Sequence, residues 1–194
     1  YDIQIYGISP QNELDWWHAC ATHTQSCKKY YSGDGEGPGY CTWIPETKRL
    51  RQELDAKGLG HVKIIGPEHG TFGPGEWNAW QQMKYVRDIY NDPAMLDILD
   101  IWAVHSYGVP NSPNPLGRTN WSWLWDGYNG NNPELVWNGY KNYGKPNWQT
   151  ECEAGDGTWE GGAMVLANRI QDALIAGHAS AFLPWAMGTP DPGV

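Results

Sequence analysis

The sequence is poor in phenylalanine, in basic residues and in long apolar runs. Only 2 Phe occur in 194 residues, although core building favours Phe, Leu and Ile. Lys and Arg number 13 against 22 Asp and Glu, a formal net charge of −9, and the pI is about 5.0. That balance argues against a nucleic-acid backbone as partner, because such binding needs a clustered basic surface. No apolar run is long enough to span a bilayer, so a membrane partner is not expected. The sequence opens directly on a strand pattern, without a Met or a signal-like stretch, and is expected to be cut at that end. No G-x-G-x-x-G follows the first strand pattern, and a dinucleotide fold loses its main cue. His18 and His23 are five apart without an H-E-x-x-H helix, which reads as surface rather than metal ligation. Cysteine is sparse as well. Cys20, Cys27 and Cys41 are spaced C-x6-C-x13-C, which matches no zinc pattern, and Cys152 stands apart. Neither a metal nor a cofactor is expected.

What is present in excess is 13 Trp and 11 Tyr. Each offers a flat apolar face and a polar edge, which suits half-wet surfaces. A sugar ring presents the matching partner, a flat C–H face ringed by hydroxyls. The alternative is a core built with Trp. Many of these residues sit in Gly/Asn/Pro-rich segments rather than periodic ones, which favours the sugar-facing reading. The sequon Asn120-Trp121-Ser122 fits an exported protein, secreted or extracellular with a lysosomal or periplasmic place as the alternative, in which one disulfide among the Cys is expected. Cys152 is then a bridge partner or a buried free thiol.

The order of elements is strand, helix, strand, helix. Ile3–Ile8 reads as a short apolar strand running into Pro10 and the polar Gln11, Asn12 and Glu13. A long loop over Trp16–Trp43 follows, its middle broken by Gly33, Gly35, Gly37, Pro38 and Gly39. Pro45 opens a helix through Leu50 and Leu54 that Gly58 stops. Val62–Ile65 is a strand ending in Gly66-Pro67-Glu68-His69-Gly70, and Trp77 to Tyr90 has helical spacing. The segment Leu96–Val104 holds a third strand ending in His105-Ser106-Tyr107. A second long loop, Val109–Asn132, carries Trp121, Trp123 and Trp125, whose alternation puts all three on one face of an extended segment, as distant sugar subsites or loop packing. Pro133 opens a short helix to about Tyr143, and Pro146–Thr150 is a strand ending at Glu151. A helix over Gly162–Ala176 turns Val165, Leu166, Ile170, Ala173 and Leu174 to one side and stops at Gly177, before the last strand, Ala179–Leu183, and Trp185.

Strands alternating with helices and no hairpin signal imply right-handed crossovers and a parallel sheet. Each polar cluster then lies at the C-terminal end of a strand, where a (β/α)8 barrel puts its active site. Five strands are too few to close such a barrel. The expectation is an α/β fold, an incomplete TIM barrel, with residues 1–194 a single domain cut at both ends and three opening strands missing.

A carboxylate at the end of a buried strand is costly unless it is used, because a charge taken from water must be paired or change protonation. Glu13 and Glu151 both have that placement. Two carboxylates facing each other across a cleft are what glycoside hydrolysis needs, one to protonate the leaving oxygen and one to attack the sugar carbon or activate water. Glu153 is a neighbour that rivals Glu151, which follows its strand directly. Glu68 is a third carboxylate at a strand end, read as sugar-binding or as part of an ion pair. His105 reads as a hydrogen-bonding scaffold or a binding residue.

Ser9-Pro10-Gln11-Asn12-Glu13 resembles the strand-four signature of the clan A glycoside hydrolases, in which Asn-Glu closes the strand. Trp148-Gln149-Thr150-Glu151 resembles their strand-seven signature, His105-Ser106-Tyr107 the end of strand six, and Trp185 the strand-eight Trp under the sugar. The phrasing is most similar to glycoside hydrolase family 30, which acts on xylans and on β-linked glucans or galactans, and the match runs from residue 1 to about 187 as strands four to eight. The resemblance implies Glu13 as acid/base, Glu151 as nucleophile, Asn12 as contact to the sugar 2-hydroxyl and Tyr107 as hydrogen-bond donor to the nucleophile. It also implies Trp185 stacked under the sugar and a retaining mechanism; Trp148, His105 and Glu68 are read beside it as further substrate contacts. Two departures stand out: Leu14 replaces the usual Pro after the acid/base, and the insert around Cys20–Cys41 looks enlarged. The partner so implied is a polysaccharide or oligosaccharide, met by a monomer. The competing function is a lectin-like, degenerate barrel that binds a glycan without cutting it.

Overall fold

The structure is a computed structural model. It describes residues 3–10, 12, 43–71, 89, 91–107, 120–127, 129, 138–152 and 158–184. Five strands, β1 (Gly7–Ile8), β2 (Lys63–Thr71), β3 (Ile101–Tyr107), β4 (Asn147–Glu151) and β5 (Ala181–Phe182), form one sheet in the order β1-β2-β3-β4-β5. Every neighbouring pair is parallel. Spatial order equals chain order, so each crossover steps one strand in the same direction. A doubly wound sheet reverses that direction partway, and a barrel never does.

Side chains on one face show that the sheet curls. Tyr6, which leads into β1, stacks on Trp148 of β4 with ring centroids 6.0 Å apart and planes 11° apart. On a flat sheet those strands lie about 14 Å apart, three spacings of ~4.8 Å, and side chains stand upright on a sheet rather than leaning together. The rings meet because that face is concave. Ile65, Ile101 and Ala103 pack with Trp148 on the same side. These are five parallel strands of a half-barrel, as the alternation of elements implies.

The convex side carries the helices and the main core. Ile64, Trp102 and Val104 alternate with the concave residues and pack against Trp43, Met95, Leu99, Trp121, Leu124, Tyr140 and Ala173. Helix α1 (Trp43–Ala56) turns Trp43 and Thr47 inward, with Leu50 and Leu54 completing the stripe at helical spacing. Pro45 and Glu46 suit its first turn, an exposed Arg49–Glu53 pair lines its outer side, and the largely buried Arg51 pairs with Asp55 and donates to the Val62 carbonyl at 2.8 Å. Gly58 then takes a left-handed φ of +72°, the expected stop. Trp102 lies between sheet and helices, stacked on Tyr140 at 4.5 Å between centroids. Burial pushes the Tyr140 hydroxyl well above its ordinary pKa.

Several sequence expectations need correction. The segment before β3 begins with a short helix, α2 (Pro93–Ile98), because Asp92 accepts from the Met95 amide at 3.1 Å and Pro93 suits the first turn. The loop expected over 109–132 contains helix α3 (Asn120–Asp126). Trp121 is therefore fully buried in the core rather than on an extended face, and Trp125 stacks on His178 at 4.6 Å. With Trp43 and Trp102 also buried, several Trp build the core that the composition assigned to sugar contact. The helix expected up to Tyr143 is a 3₁₀ turn, Tyr140–Tyr143, in its described part. The last helix, α4 (Met164–Ile175), is entered through a π-turn, Trp159–Ala163, and leaves Leu174 exposed. Most of the helix expected over 77–90, and Cys20, Cys27 and Cys41, lie outside the described residues. Cys152 is fully buried just after β4. Among the described residues no helix is long and apolar enough to cross a membrane.

Two substitutions test this packing. A Cβ on Gly177 would sit 2.2 Å from Trp121 Cε3, and the Gly177 carbonyl accepts from Asn147 Nδ2 at 2.9 Å. Gly177→Ala is expected to cost about 1–3 kcal/mol, seen as a lower midpoint in thermal unfolding. Asp92 is held below its ordinary pKa of 3.8 chiefly by the hydrogen bond from Lys48. A depressed carboxylate stabilises the fold above its unfolded pKa and loses that contribution as pH falls through the folded value. Asp92→Ala should thus cost about 1 kcal/mol at neutral pH, and denaturant titrations of the two proteins should converge in acid.

Candidate active site

The C-terminal ends of β2, β3 and β4 bring three polar side chains together beneath the concave rim. Glu68, His105 and Glu151 are 6%, 1% and 9% exposed. His105 Nε2 lies 3.5 Å from Glu68 Oε2 and 3.6 Å from Glu151 Oε2. The Thr150 hydroxyl donates to Glu68 Oε2, reaching from β4 over β3 to β2.

Irregular pairing produces this convergence. Regular alternation puts Ile65 and Pro67 on one face of β2, and Ile64 and Gly66 on the other. Register shifts fall between Pro67 and His69 and between His69 and Thr71. Glu68 sits within the first shift at a left-handed φ of +56°, a conformation that costs a residue with a Cβ about 1 kcal/mol or more. A third shift, between β3 and β4, follows Val104, so that His105 pairs with Glu151 rather than with Thr150. Without it, Glu151 would share the helix-side face of Asn147 and Gln149. Bulges beside functional sites commonly re-aim a side chain in this way. Glu68 thus lies inside β2, which runs to Thr71, and not beyond a strand ending at Ile65. Gly66 permits the close helix packing there, since a Cβ would meet Trp43 Cζ2 at 2.7 Å.

Backbone and side-chain bonds lock these strands together. Asp100, just before β3, accepts from the Ile64 amide at 2.9 Å and from Lys63 Nζ at 3.0 Å. Lys145, just before β4, donates to the Leu96 and Leu99 carbonyls at the end of α2. Burial is the main reason its pKa is lowered.

The other expected site residues divide clearly. Asn12 is exposed just past β1. Trp148 is half-buried against Tyr6 on the concave face. Tyr107 ends β3 opposite Thr71, with its side chain outside the description. Glu13, Glu153 and Trp185 lie outside the described residues. Among the described residues no group of His, Cys, Asp and Glu is arranged to hold a metal ion. Sequence reasoning missed Thr150 as a partner of Glu68. Its signal was the alternation in β4, which puts Thr150 on the face of Trp148.

No family model matches the chain, and no curated protein does. In fold the chain is similar to a GH30 endoxylanase from Clostridium papyrosolvens C71, with 21% identity, a TM-score of 0.53, and coverage of 97% of this chain and 36% of that one. A glycoside hydrolase family 30 subfamily 8 xylanase from Clostridium acetobutylicum shares 25% identity over 94% of this chain and 34% of its own, with a TM-score of 0.48. The chain spans about a third of the length of each. The first likeness establishes the fold as part of a TIM barrel, and that neighbour carries the name of the family whose strand-end motifs this sequence resembles.

Proposed function

We propose that the protein carrying this chain is a glycoside hydrolase that cleaves β-glycosidic bonds with retention, Glu151 being the nucleophile and Glu13 the acid/base. The observation that carries this reading is a buried carboxylate, Glu151, turned by a bulge into the concave rim of a parallel half-barrel beside His105. A carboxylate so placed is expensive to keep for structure alone. The sequence supplies the second carboxylate, Glu13, five residues past the end of β1 in the chain.

In the first step a Glu151 oxygen attacks the anomeric carbon, and the bond to the leaving oxygen breaks as Glu13 gives that oxygen its proton. In the second step Glu13 takes a proton from water, the water oxygen attacks the anomeric carbon, and Glu151 leaves as carboxylate. Asn12 holds the sugar 2-hydroxyl, Tyr107 donates to Glu151, and Trp185 and Trp148 offer flat faces to the ring. The substrate is a β-linked polysaccharide or oligosaccharide of the xylan, glucan or galactan type, and the enzyme is a secreted monomer.

The test is turnover by the full-length protein on a panel of xylan, β-glucan and galactan. Glu13→Ala is expected to lower kcat by about 10²–10⁴-fold, and Glu151→Ala by at least as much. Azide should restore turnover of an aryl glycoside to Glu151→Ala, giving a glycosyl azide of inverted configuration. Undiminished hydrolysis by Glu151→Ala defeats the assignment.

A further inference from the structure

Glu68 is a second buried carboxylate within reach of His105, and the two-step reaction leaves it without a role. Its position costs energy twice, once in backbone conformation and once in desolvation. One oxygen of it, Oε2, meets both the Thr150 hydroxyl and His105 Nε2, and that same nitrogen also meets Glu151. Neither His105 contact is at ideal hydrogen-bond length, at 3.5 and 3.6 Å. A single Nε2–H can serve one carboxylate at a time. His105 is thus poised between two acceptors of equal kind on the flanking strands.

We propose that Glu68 is a positioning residue that acts on Glu151 through His105. It is the alternative acceptor for the His105 Nε2–H when Glu151 becomes a neutral ester. In the free enzyme the N–H is shared toward Glu151. When the glycosyl ester forms, Glu151 loses its charge and accepts weakly, and the N–H turns to Glu68. When the ester breaks, it returns to the leaving carboxylate. Thr150 fixes the Glu68 carboxylate so that this exchange needs only a small tilt of the imidazole. Among the described residues the titratable groups here are Glu68 from β2, His105 from β3 and Glu151 from β4. The inference rests on the nucleophile assignment made above.

The experiment uses the full-length enzyme with an aryl glycoside, and a 2-fluoroglycoside that traps the covalent ester. Glu68→Gln keeps the shape but removes the charge. It should lower kcat about ten- to hundredfold, leave the substrate dissociation constant within about twofold, and slow trapping and release of the ester. Thr150→Val keeps Glu68 but frees its carboxylate, and should give a smaller kcat loss of the same kind with a near-native melting temperature. Unchanged kcat in either folded variant overturns the proposal, as does a change confined to substrate binding, which would make Glu68 a sugar contact. If Glu68→Gln does not fold, Thr150→Val decides alone. Labelling of the wild type at a residue other than Glu151 removes the nucleophile assignment and this proposal together. Labelling at Glu151 with unaltered Glu68→Gln kinetics removes this proposal alone.

Discussion

One imidazole between two buried carboxylates is the constraint around which the rim of this sheet is arranged. An ionised carboxylate withdrawn from water without a partner costs several kcal/mol, so neither Glu68 nor Glu151 can occupy its place unless a donor is brought to it. His105 reaches both, and Thr150 reaches Glu68. The donors and acceptors come from three neighbouring strands, so these contacts join residues distant in sequence. Strand order, curl and register must all be correct first.

Curl and bulge do separate work. Curl draws side chains of non-neighbouring strands together, as Tyr6 with Trp148 and Thr150 with Glu68 show. Bulges decide which side chains take part. A regular β4 would send Glu151 to the helix side with Gln149, into a layer filled by Trp102, Trp121 and Tyr140. The shift after Val104 turns it the other way. The helix layer explains why the sheet can bear such irregularity. Asp100 anchors the start of β2 and Lys145 the end of α2, so the disturbed ends sit on fixed beginnings.

The sequence made the architecture legible because parallel strands with helical crossovers have few alternatives. Polar clusters after apolar runs marked the rim correctly for His105 and Glu151. What stayed hidden depends on contacts distant in sequence. Nothing near Glu68 announces a register shift, and the strand was expected to stop at Ile65 because Gly66 and Pro67 are local breakers. Tertiary pairing with β3 carried it on to Thr71. Helix α3 was concealed by its Trp content, since alternation of large residues imitates a strand when burial is unknown. Its Trp121 is instead held by Gly177, a glycine read only as a helix stop.

The bond between Thr150 and Glu68 joins residues 82 apart in sequence. Closing a chain segment of that length carries an entropic charge that only a nearly finished sheet can offset. A nascent polypeptide that has emerged as far as β3 therefore holds Glu68 and His105 with no Thr150 or Glu151 to meet them. Synthesis proceeds at roughly 5–20 residues per second, so the half-made rim waits a few seconds for β4. During that interval the acidic end of β2 is open to solvent, and the chemistry of the site cannot precede the architecture that restrains it.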